Sequence, residues 1–244
     1  MGSIFNSFAE TFPLASNEDE RWAREQELLL PCCPPDARVL DLACGSGFHA
    51  RHLAAAGRRV VAMDLAADAL DAARTLPHGD RVTWQQGDLL QPIEGTFDTT
   101  LLLGNTLSLF DRETELRQIF AHVAHALTPQ GRLLVQVIDY DYLREHPVHI
   151  RRQGDLQGAP VTFDKRLEAT DEGALITITE TRGGQSASET QPLHAWPLDA
   201  LQRLALAAGL EPDAAFGGLS GEAYKPGASK DVVALFRKGP PDQS

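Results

Sequence analysis

The stretch VLDLACGSGFHARHLAAAG, residues 39–57, carries the signals that decide the fold. The near-continuous apolar run at 37–43 is typical of a strand buried on both faces of a parallel sheet. Apolar residues then recur at helical spacing until Gly57, a residue that commonly ends a helix. The turn between the two elements contains a Gly-x-Gly-x-x-Ala motif that begins at Gly45. This stretch therefore predicts a strand–turn–helix corner, which in parallel sheets binds an anionic group of a nucleotide-containing ligand.

Strands and helices continue to alternate beyond this corner. Apolar runs predict further strands at 59–65, 82–89, 97–105, 129–140 and 231–238. Helical spacing predicts helices at 66–76, 113–127 and 197–209. Because such alternation gives right-handed β–α–β crossovers, the sequence predicts an α/β fold with a doubly wound, mostly parallel sheet.

The alternation of strand and helix stops after residue 142. Three segments alternate polar and apolar residues between glycine-containing turns, as antiparallel strands do: 161–170, 174–184 and 187–196. We therefore predict two units, an α/β ligand-binding domain and a β-rich insertion, with the bounds 1–142 and 197–244 for the domain and 143–196 for the insertion. The insertion follows the fifth strand, whose carboxyl end opens onto the ligand site, so we expect it to act as a lid that sets substrate choice.

The balance of charge restricts the classes of partner. The chain has 34 acidic and 22 basic residues and a formal net charge of -12. Nucleic-acid binders usually present a basic patch, so we expect no nucleic acid and no anionic membrane as a partner. The three cysteines lack metal-ligand spacing, and we predict no metal site. The N-terminus lacks a secretory signal and no apolar run approaches a membrane-spanning length, so we expect a cytoplasmic location; no pattern predicts an oligomeric state.

Three acidic residues lie in or at the ends of the predicted strands near the glycine corner. Asp64 ends the second strand, where a carboxylate can accept both hydroxyls of a ribose, in NAD or in another adenosine-containing cofactor. Asp88 ends the third strand, where it can accept a hydrogen bond from an adenine amino group. Asp41 lies inside the first strand, where its carboxylate can either hold the glycine loop or accept from an ammonium group of the ligand. A pyrophosphate has no use for this added anion, whereas the ammonium group of an amino acid joined to adenosine does.

Five segments resemble, in order and spacing, the successive motifs of the Rossmann-like S-adenosylmethionine-dependent methyltransferases: VLDLACGSG, VVAMDLA, QQGDLL, FDTTLLLGNTLSLF and LTPQGRLLVQ. The resemblance covers residues 35–140. It implies a seven-stranded sheet and S-adenosylmethionine, not NAD, as the cofactor. It also implies cofactor contacts from Asp41, Ala43, Gly45, Gly47, Asp64, Leu65, Asp88, Leu89 and Leu103.

Other segments are similar to the glycine N-methyltransferase group: LLLGNTLSLF, VIDYDYL and YKPGASKDVVALFRK. FNSFAETFP and RWARE resemble the N-terminal helix that these enzymes fold over the cofactor, and Phe5, Phe8 and Phe12 are expected to pack that helix. The resemblance also implies an arginine that binds the carboxylate of the substrate, but this chain has Ile138 at that position. Without that arginine, glycine itself becomes a weaker expectation as the substrate.

Candidate acceptor-binding residues follow from the same resemblance. Asn105 follows the fourth strand, where the methyl-bearing sulfur is expected to point, so its amide is the predicted catalytic and acceptor-binding group. A turn role for Gly104-Asn105 is the alternative. Tyr140 is a second predicted contact. An anionic group on the acceptor would be bound by a cation of the insertion, for which we predict Arg152 and Arg166, with Arg151 also available.

These features together predict a methyltransferase that transfers a methyl group from S-adenosylmethionine to a small molecule. The expected acceptor atom is the nitrogen of an amino-acid-like molecule or another amine. Three alternatives remain open at this point. They are an O-methyltransferase of a small metabolite, a non-catalytic S-adenosylmethionine-binding module and, from the glycine corner alone, an NAD-dependent oxidoreductase.

Overall fold

A computed structural model of the chain describes residues 8, 11, 17–156 and 158–240. Its helices are α1 (Glu18–Cys32), α2 (Phe48–Ala55), α3 (Ala67–Thr75), α4 (Glu113–Ala126), α5 (Tyr140–Glu145) and α6 (Leu198–Leu206). Its strands are β1 (Arg38–Leu42), β2 (Arg59–Asp64), β3 (Thr83–Gln86), β4 (Phe97–Leu102), β5 (Leu127–Ile138), β6 (Val148–Leu156), β7 (Ala159–Ala169), β8 (Gly173–Arg182), β9 (Gln185–His194), β10 (Leu210–Phe216) and β11 (Asp231–Lys238).

Seven strands form one sheet, sheet A, in the order β10-β11-β5-β4-β1-β2-β3. Strands β1 to β5 are parallel, and β11 runs antiparallel to both β5 and β10. The chain direction across the sheet reverses between β1 and β4, and ligands of such sheets bind in the crevice beyond the carboxyl ends of the strands at that point. The prediction of a seven-stranded, mostly parallel α/β sheet is confirmed.

Sheet A has an apolar core on each of its faces, which explains the near-continuous apolar run of β1. One core contains side chains of α4 and α6, and the other contains side chains of α1 and α2. Only Arg38 of β1 is exposed, and the four residues after it are buried. Strand β1 therefore lies at the centre of the domain, and the glycine corner follows directly from its end.

The structure corrects several predicted element bounds. Strand β4 ends at Leu102 instead of residue 105, because Gly104 and Asn105 have φ angles of 72° and 68° and leave the strand conformation. Strand β3 ends at Gln86 instead of residue 89. Strand β5 ends at Ile138, and a helix that the sequence pattern did not predict, α5, begins at Tyr140. The Asp139 carboxylate starts this helix by accepting two backbone N–H groups of its first turn.

Two strands escaped the sequence patterns, although a seventh strand of sheet A was expected. Strand β10 is an edge strand with the polar sequence LEPDAAF, and its pairing with β11 shifts between Pro212 and Ala214. Strand β6 lies at the edge of a second sheet and is mostly exposed or half-buried. Edge strands of this kind bury few side chains, so they leave little hydrophobic periodicity to detect.

The insertion forms this second sheet, sheet B, an antiparallel sheet in the order β6-β7-β8-β9. The sequence predicted three of its four strands. Its inner face packs against Tyr140 and Leu143 of α5 in a separate apolar core. Phe8 belongs to that core, whereas Phe5 and Phe12 lie outside the described residues. Among the described residues, no helix has both the length and the apolar character needed to cross a membrane.

Candidate active site

A cavity of about 280 Å³ lies beyond the carboxyl ends of β1, β2 and β4. Eight of the nine residues predicted to contact the cofactor line this cavity: Asp41, Ala43, Gly45, Asp64, Leu65, Asp88, Leu89 and Leu103. The ninth, Gly47, lies behind the wall, and a Cβ atom added to it would come within 2.2 Å of the Trp84 ring. These eight residues come from four separated segments of the chain, which therefore meet at one crevice.

The glycine corner adopts a backbone that side chains rarely allow. Ala43, Gly45 and Gly47 have φ angles of 52°, 53° and 65°, in the left-handed region. The N–H of Gly45 donates to Asp64 Oδ2 at 2.7 Å, and the N–H of Gly47 donates to the carbonyl of Cys44 at 2.8 Å. We expected these donors to bind an anionic group, but both are already used within the protein. Their hydrogen bonds instead hold the corner in shape.

Asp64 connects two segments that line the cavity. Besides accepting from Gly45, its other oxygen accepts the N–H of Ala66 at 2.9 Å, at the start of α3. Each carboxylate oxygen has a further acceptor site after one hydrogen bond. The carboxylate can therefore accept two hydroxyl groups from a ligand without breaking its contacts with the protein.

Asp41 is buried, and Oδ2 of its carboxylate accepts the N–H of Ala50 at 3.1 Å. No described residue donates a hydrogen bond to Oδ1. Burial, helped by the neighbouring charge of Asp64 and opposed by the Ala50 hydrogen bond and by Arg21, raises the pKa of this carboxyl to about 7. A buried carboxylate in a cavity wall that lacks a cationic contact favours a ligand that brings a positive charge.

The opposite end of the cavity suits a flat aromatic ring with a polar edge. Leu65 is 55% exposed although it is a large apolar residue, and its side chain lies in the cavity wall. Asp88 accepts the N–H of Leu90 at 2.9 Å through one oxygen, and no described residue donates to its other oxygen. Leu89 is buried beside it. An apolar surface next to a free carboxylate oxygen matches a purine and its exocyclic amino group.

A charged cluster from α1 and α2 completes the cavity wall. Arg21 lies 4.2 Å above the centre of the Phe48 ring and forms an ion pair with Glu25, with a distance of 2.9 Å between Nε and Oε1. His49 Nε2 lies 2.8 Å from Glu25 Oε2 and donates to it, since a carboxylate can only accept. Burial lowers the pKa of His49 despite the nearby carboxylate. Arg21 and His49 both line the cavity.

Sequence reasoning did not single out Arg21, Glu25 or His49 as site residues. The only signal was the segment RWARE, whose resemblance to a helix over the cofactor drew attention to α1 as an element. Because Arg21 and His49 are 28 residues apart, no local spacing connects them.

The residues predicted to bind the acceptor form a network beside the cavity. Asn105 Oδ1 accepts from the Ile138 N–H at 3.0 Å and from Ser108 Oγ at 2.8 Å, and Asn105 Nδ2 donates to the Tyr140 hydroxyl at 3.3 Å. Burial raises the pKa of the Tyr140 phenol. Neither Asn105 nor Tyr140 is part of the cavity wall, although Gly104 and Thr106 are. The network joins the ends of β4 and β5 to α5.

The two arginines of sheet B that were predicted to bind the acceptor, Arg152 and Arg166, make their contacts within sheet B instead of with this network. Arg152 donates to the carbonyl of Arg151, and Arg166 lies 3.4 Å from Asp164 Oδ1. Both arginines are exposed, and neither lines the cavity. Within 17–156 and 158–240, no group of three or more His, Cys, Asp and Glu side chains is arranged to hold a metal ion.

The order of charges along the cavity fits S-adenosylmethionine. Asp41 and Arg21 supply opposite charges for an ammonium and a carboxylate at one end, and Asp64, Leu65 and Asp88 suit a ribose and an adenine at the other. A dinucleotide would instead need donors for its pyrophosphate, and the glycine N–H groups are already bonded.

Comparisons with known proteins agree with this reading. Residues 39–131 match the sequence profile of a family described as Methyltransferase domain. The chain is 27% identical over 216 residues to a cypemycin N-terminal methyltransferase from Streptomyces sp, covering 84% of this chain and 85% of that one. It is 32% identical over 118 residues to a glycine/sarcosine N-methyltransferase from Halorhodospira halochloris, covering 45% of this chain and 42% of that enzyme. The fold is similar to that of an S-adenosylmethionine-dependent methyltransferase from Clostridium acetobutylicum, with a TM-score of 0.74 and 17% identity over 97% of this chain and 100% of the other.

Fold, cavity and sequence relatives define one class of protein, enzymes that bind S-adenosylmethionine at the carboxyl edge of a doubly wound sheet. The chain contains a methyltransferase domain, and in sequence and fold it is similar to the Rossmann-like S-adenosylmethionine-dependent methyltransferases. It is a methyltransferase, and S-adenosylmethionine is its cofactor. The predictions of the family, of an enzyme and of this cofactor are confirmed.

Proposed function

We propose that this methyltransferase methylates the nitrogen of a small acceptor, an amino-acid-like molecule or another amine. Of the relatives named above, one is an N-terminal methyltransferase of cypemycin and one is an N-methyltransferase of glycine and sarcosine. Glycine is a small primary amine and sarcosine a small secondary amine. The name of the glycine/sarcosine N-methyltransferase supports nitrogen as the acceptor atom.

The observation that carries the proposal is the state of the titratable groups beside the cavity. A hydroxyl acceptor needs a general base, because its pKa lies far above 7, whereas an amine needs only to arrive unprotonated. Among the described residues, His49 is the one histidine in the cavity wall, and its Nε2 proton is held by Glu25. The raised pKa of Tyr140 keeps that phenol protonated at neutral pH. These groups favour an amine.

The cofactor contacts that we propose follow the chemistry of the cavity wall. Asp64 binds the ribose hydroxyls, Asp88 and Leu89 bind the adenine edge, and Leu65 covers its face. Asp41 accepts from the ammonium group, with Ala43, Gly45 and Leu103 forming the remaining wall. Arg21 binds the carboxylate. Gly47 supports the corner from behind by making room for the Trp84 ring.

S-adenosylmethionine supplies a methyl group on a positively charged sulfur. The protein then contributes mainly alignment, because in-line displacement depends on the approach distance and angle of the acceptor nitrogen. In this proposal Asn105 has a positioning role. Its amide fixes the ends of β4 and β5 and orients the Tyr140 hydroxyl beside the acceptor. Exclusion of water by sheet B favours the neutral form of an amine.

A panel assay tests the proposed acceptor atom. The protein is incubated with S-adenosylmethionine and matched pairs of amines and alcohols or phenols, and S-adenosylhomocysteine is measured by mass spectrometry. We expect turnover with amines, and a rate that rises with pH up to the pKa of the acceptor amine. Asp64→Ala serves as the control, since it should abolish turnover with every acceptor. Faster turnover of a hydroxyl compound than of its matched amine would replace this proposal with O-methylation.

A further inference from the structure

Strand β7 carries one charged residue on the face of sheet B that is turned toward sheet A. On β7, Val161, Phe163 and Leu167 are buried, and Lys165 shares their face because side chains alternate along a strand. Lys165 is directly opposite Ile150 on β6 and Ile178 on β8, with no register shift on either side. Lys165 is half-buried, whereas its neighbour Arg166 is exposed on the other face.

This inner face covers the end of β5. The apolar core that contains Phe163, Leu167 and Ile178 also includes Ile138, the last residue of β5. Ile138 is paired with Asp231, the first residue of β11. Lys165 and Asp231 therefore approach the same edge of sheet A from two sides.

Asp231 is connected to the cofactor cavity by hydrogen bonds. Gln136 Nε2 donates to Asp231 Oδ2 at 3.1 Å, and Gln136 Oε1 accepts the N–H of Gly104 at 3.1 Å. Gly104 lines the cavity. The side chain of Gln136 thus connects the start of β11 with the cavity wall. This is the side of the cavity from which an acceptor must approach.

Electrostatic interactions place Lys165 within this charged region. Burial, together with the charges of Lys230 and Arg21 and against that of Asp231, lowers the pKa of Lys165 to about 8. Arg21 lines the cofactor cavity. Lys165 therefore lies among charged groups of α1, β11 and the loop before β11, although its own strand belongs to sheet B.

We infer that Lys165 selects the acceptor by binding an anionic group, a carboxylate or a phosphate, that the acceptor carries in addition to its amine. This inference rests on the proposed function and makes it more specific. The resemblance implies a substrate-binding arginine at position 138, where this chain has the uncharged Ile138. Lys165 of sheet B would provide the positive charge in its place. Arg152 and Arg166, the cations first predicted for this role, are exposed, and Arg166 lies beside Asp164.

The test compares acceptors that differ only in the anionic group. One arm uses α-amino acids against their C-terminal amides, which keep the amine and lose the carboxylate. A second arm uses glucosamine 6-phosphate against glucosamine, which separates a phosphate from a carboxylate. The variant is Lys165→Met, since methionine fits between Ile150 and Ile178. Arg166→Met is the matched control on the other face of β7, and Lys165→Arg tests rescue by charge.

We expect Lys165→Met to raise KM for the anionic member of the preferred pair about 10- to 100-fold and to leave the uncharged member within about 2-fold, because one charge-assisted hydrogen bond is lost. Lys165→Arg should restore most of the loss, and Arg166→Met should change neither member. The affinity for S-adenosylhomocysteine, measured by calorimetry, should be unchanged in all three variants.

Equal losses for the charged and uncharged acceptors would show that Lys165 is structural, and no loss would show that it does not contact the acceptor. Either result overturns the inference while amine methylation stands. Failure of the wild type to methylate any amine would instead contradict the proposed function. In that case, calorimetric titration of the protein loaded with S-adenosylhomocysteine still tests Lys165. Binding of an amino acid or a sugar phosphate that Lys165→Met abolishes supports the inference, and binding that it leaves unchanged, or no binding, overturns it.

Discussion

The two glycines of the corner have similar backbones but different surroundings. A Cβ atom on Gly45 would meet no atom within 4 Å, whereas one on Gly47 would overlap the Trp84 ring. We expect Gly45→Ala to lower the free energy of unfolding by only about 1–2 kcal/mol, the cost of the left-handed conformation. Its methyl group would enter the cavity and weaken S-adenosylmethionine binding at least about 10-fold. Gly47→Ala should lose a further 1–3 kcal/mol, roughly the cost of overpacking.

Urea denaturation measures the change in the free energy of unfolding, and calorimetric titration measures the change in S-adenosylmethionine affinity. Gly57→Ala is a suitable reference, because Gly57 also has a positive φ, of 87°, and no atom near its Cβ position, but it does not line the cavity. If Gly45→Ala and Gly57→Ala bind the cofactor equally well, Gly45 does not face the cofactor.

Asp41 gives the site a pH dependence whose sign follows from its environment. Its pKa is raised from 3.8 to about 7 in the folded protein, so the carboxyl is mostly protonated at pH 6 when no cation is present. An ammonium group beside it would favour the ionised form and lower the pKa. We therefore expect S-adenosylmethionine binding to release close to one proton at pH 6. The affinity should rise from pH 5 to pH 7 as that proton is lost from the free protein.

Calorimetry in buffers of different ionisation enthalpy measures the number of protons released. Asp41→Asn cannot release this proton, and it is the direct comparison. Above pH 7.5 the amino group of the cofactor itself begins to titrate, so the measurement is confined to lower pH. Equal proton release by the wild type and by Asp41→Asn would assign the proton to another group.

At the scale of elements, α1 is held to the glycine corner by a buried arginine on α2. Arg51 is 1% exposed, and its Nη2 donates to both carboxylate oxygens of Glu18 at 2.8 and 3.0 Å. Its other nitrogens donate to the carbonyls of Ser46 and Pro77. Because Ser46 lines the cavity and α1 carries Arg21, this single side chain connects two parts of the cofactor site.

We expect Arg51→Met to lower the free energy of unfolding by about 2–4 kcal/mol, because two carbonyls and a partly buried carboxylate lose their partner. Glu18→Gln should cost less than about 1 kcal/mol, since the Glu18 side chain is one third exposed. Urea denaturation measures both, with the exposed Arg24→Met on α1 as the control. An Arg51→Met protein as stable as the Arg24→Met protein would show that the contact does not hold α1 in place.

At the scale of the whole molecule, the domain bounds and the lid role of the insertion remain predictions. The structure offers a clean way to remove sheet B. Val148, Leu167, Ile176 and Gln191 are in register across its four strands, so β6 begins and β9 ends at the same end of the sheet. Three strand spacings amount to about 15 Å, which a linker of about six residues spans.

We expect a variant with residues 148–194 replaced by such a linker, and with Leu143→Gln to reduce the newly exposed apolar surface, to bind S-adenosylmethionine within about 3-fold of the wild type. The cofactor cavity is built from the other unit, as no described residue of sheet B lies in its wall. Discrimination among acceptors, measured as the ratio of kcat/KM values across the amine panel, should largely disappear. Circular dichroism checks the fold. Unchanged discrimination would show that sheet B does not set substrate choice.

The sequence by itself determined the parts of the molecule that depend on short-range periodicity. The apolar run of β1, the glycine corner and the spacing to Asp64 and Asp88 are local patterns, and the structure brings them together because parallel strands end at one edge of a sheet. The exposed edge strands β6 and β10 were missed, since strands that bury few side chains carry weak periodicity.

The tertiary structure alone decided which distant side chains meet. Arg21, Glu25 and His49 form one cluster because α1 packs on α2, and nothing in their spacing predicts it. The face of sheet B that is turned inward depends on strand register, and a shift of one residue would have presented Arg166 instead of Lys165. Contacts of this kind arise from packing between segments far apart in the chain, so a pattern of neighbouring residues contains no record of them.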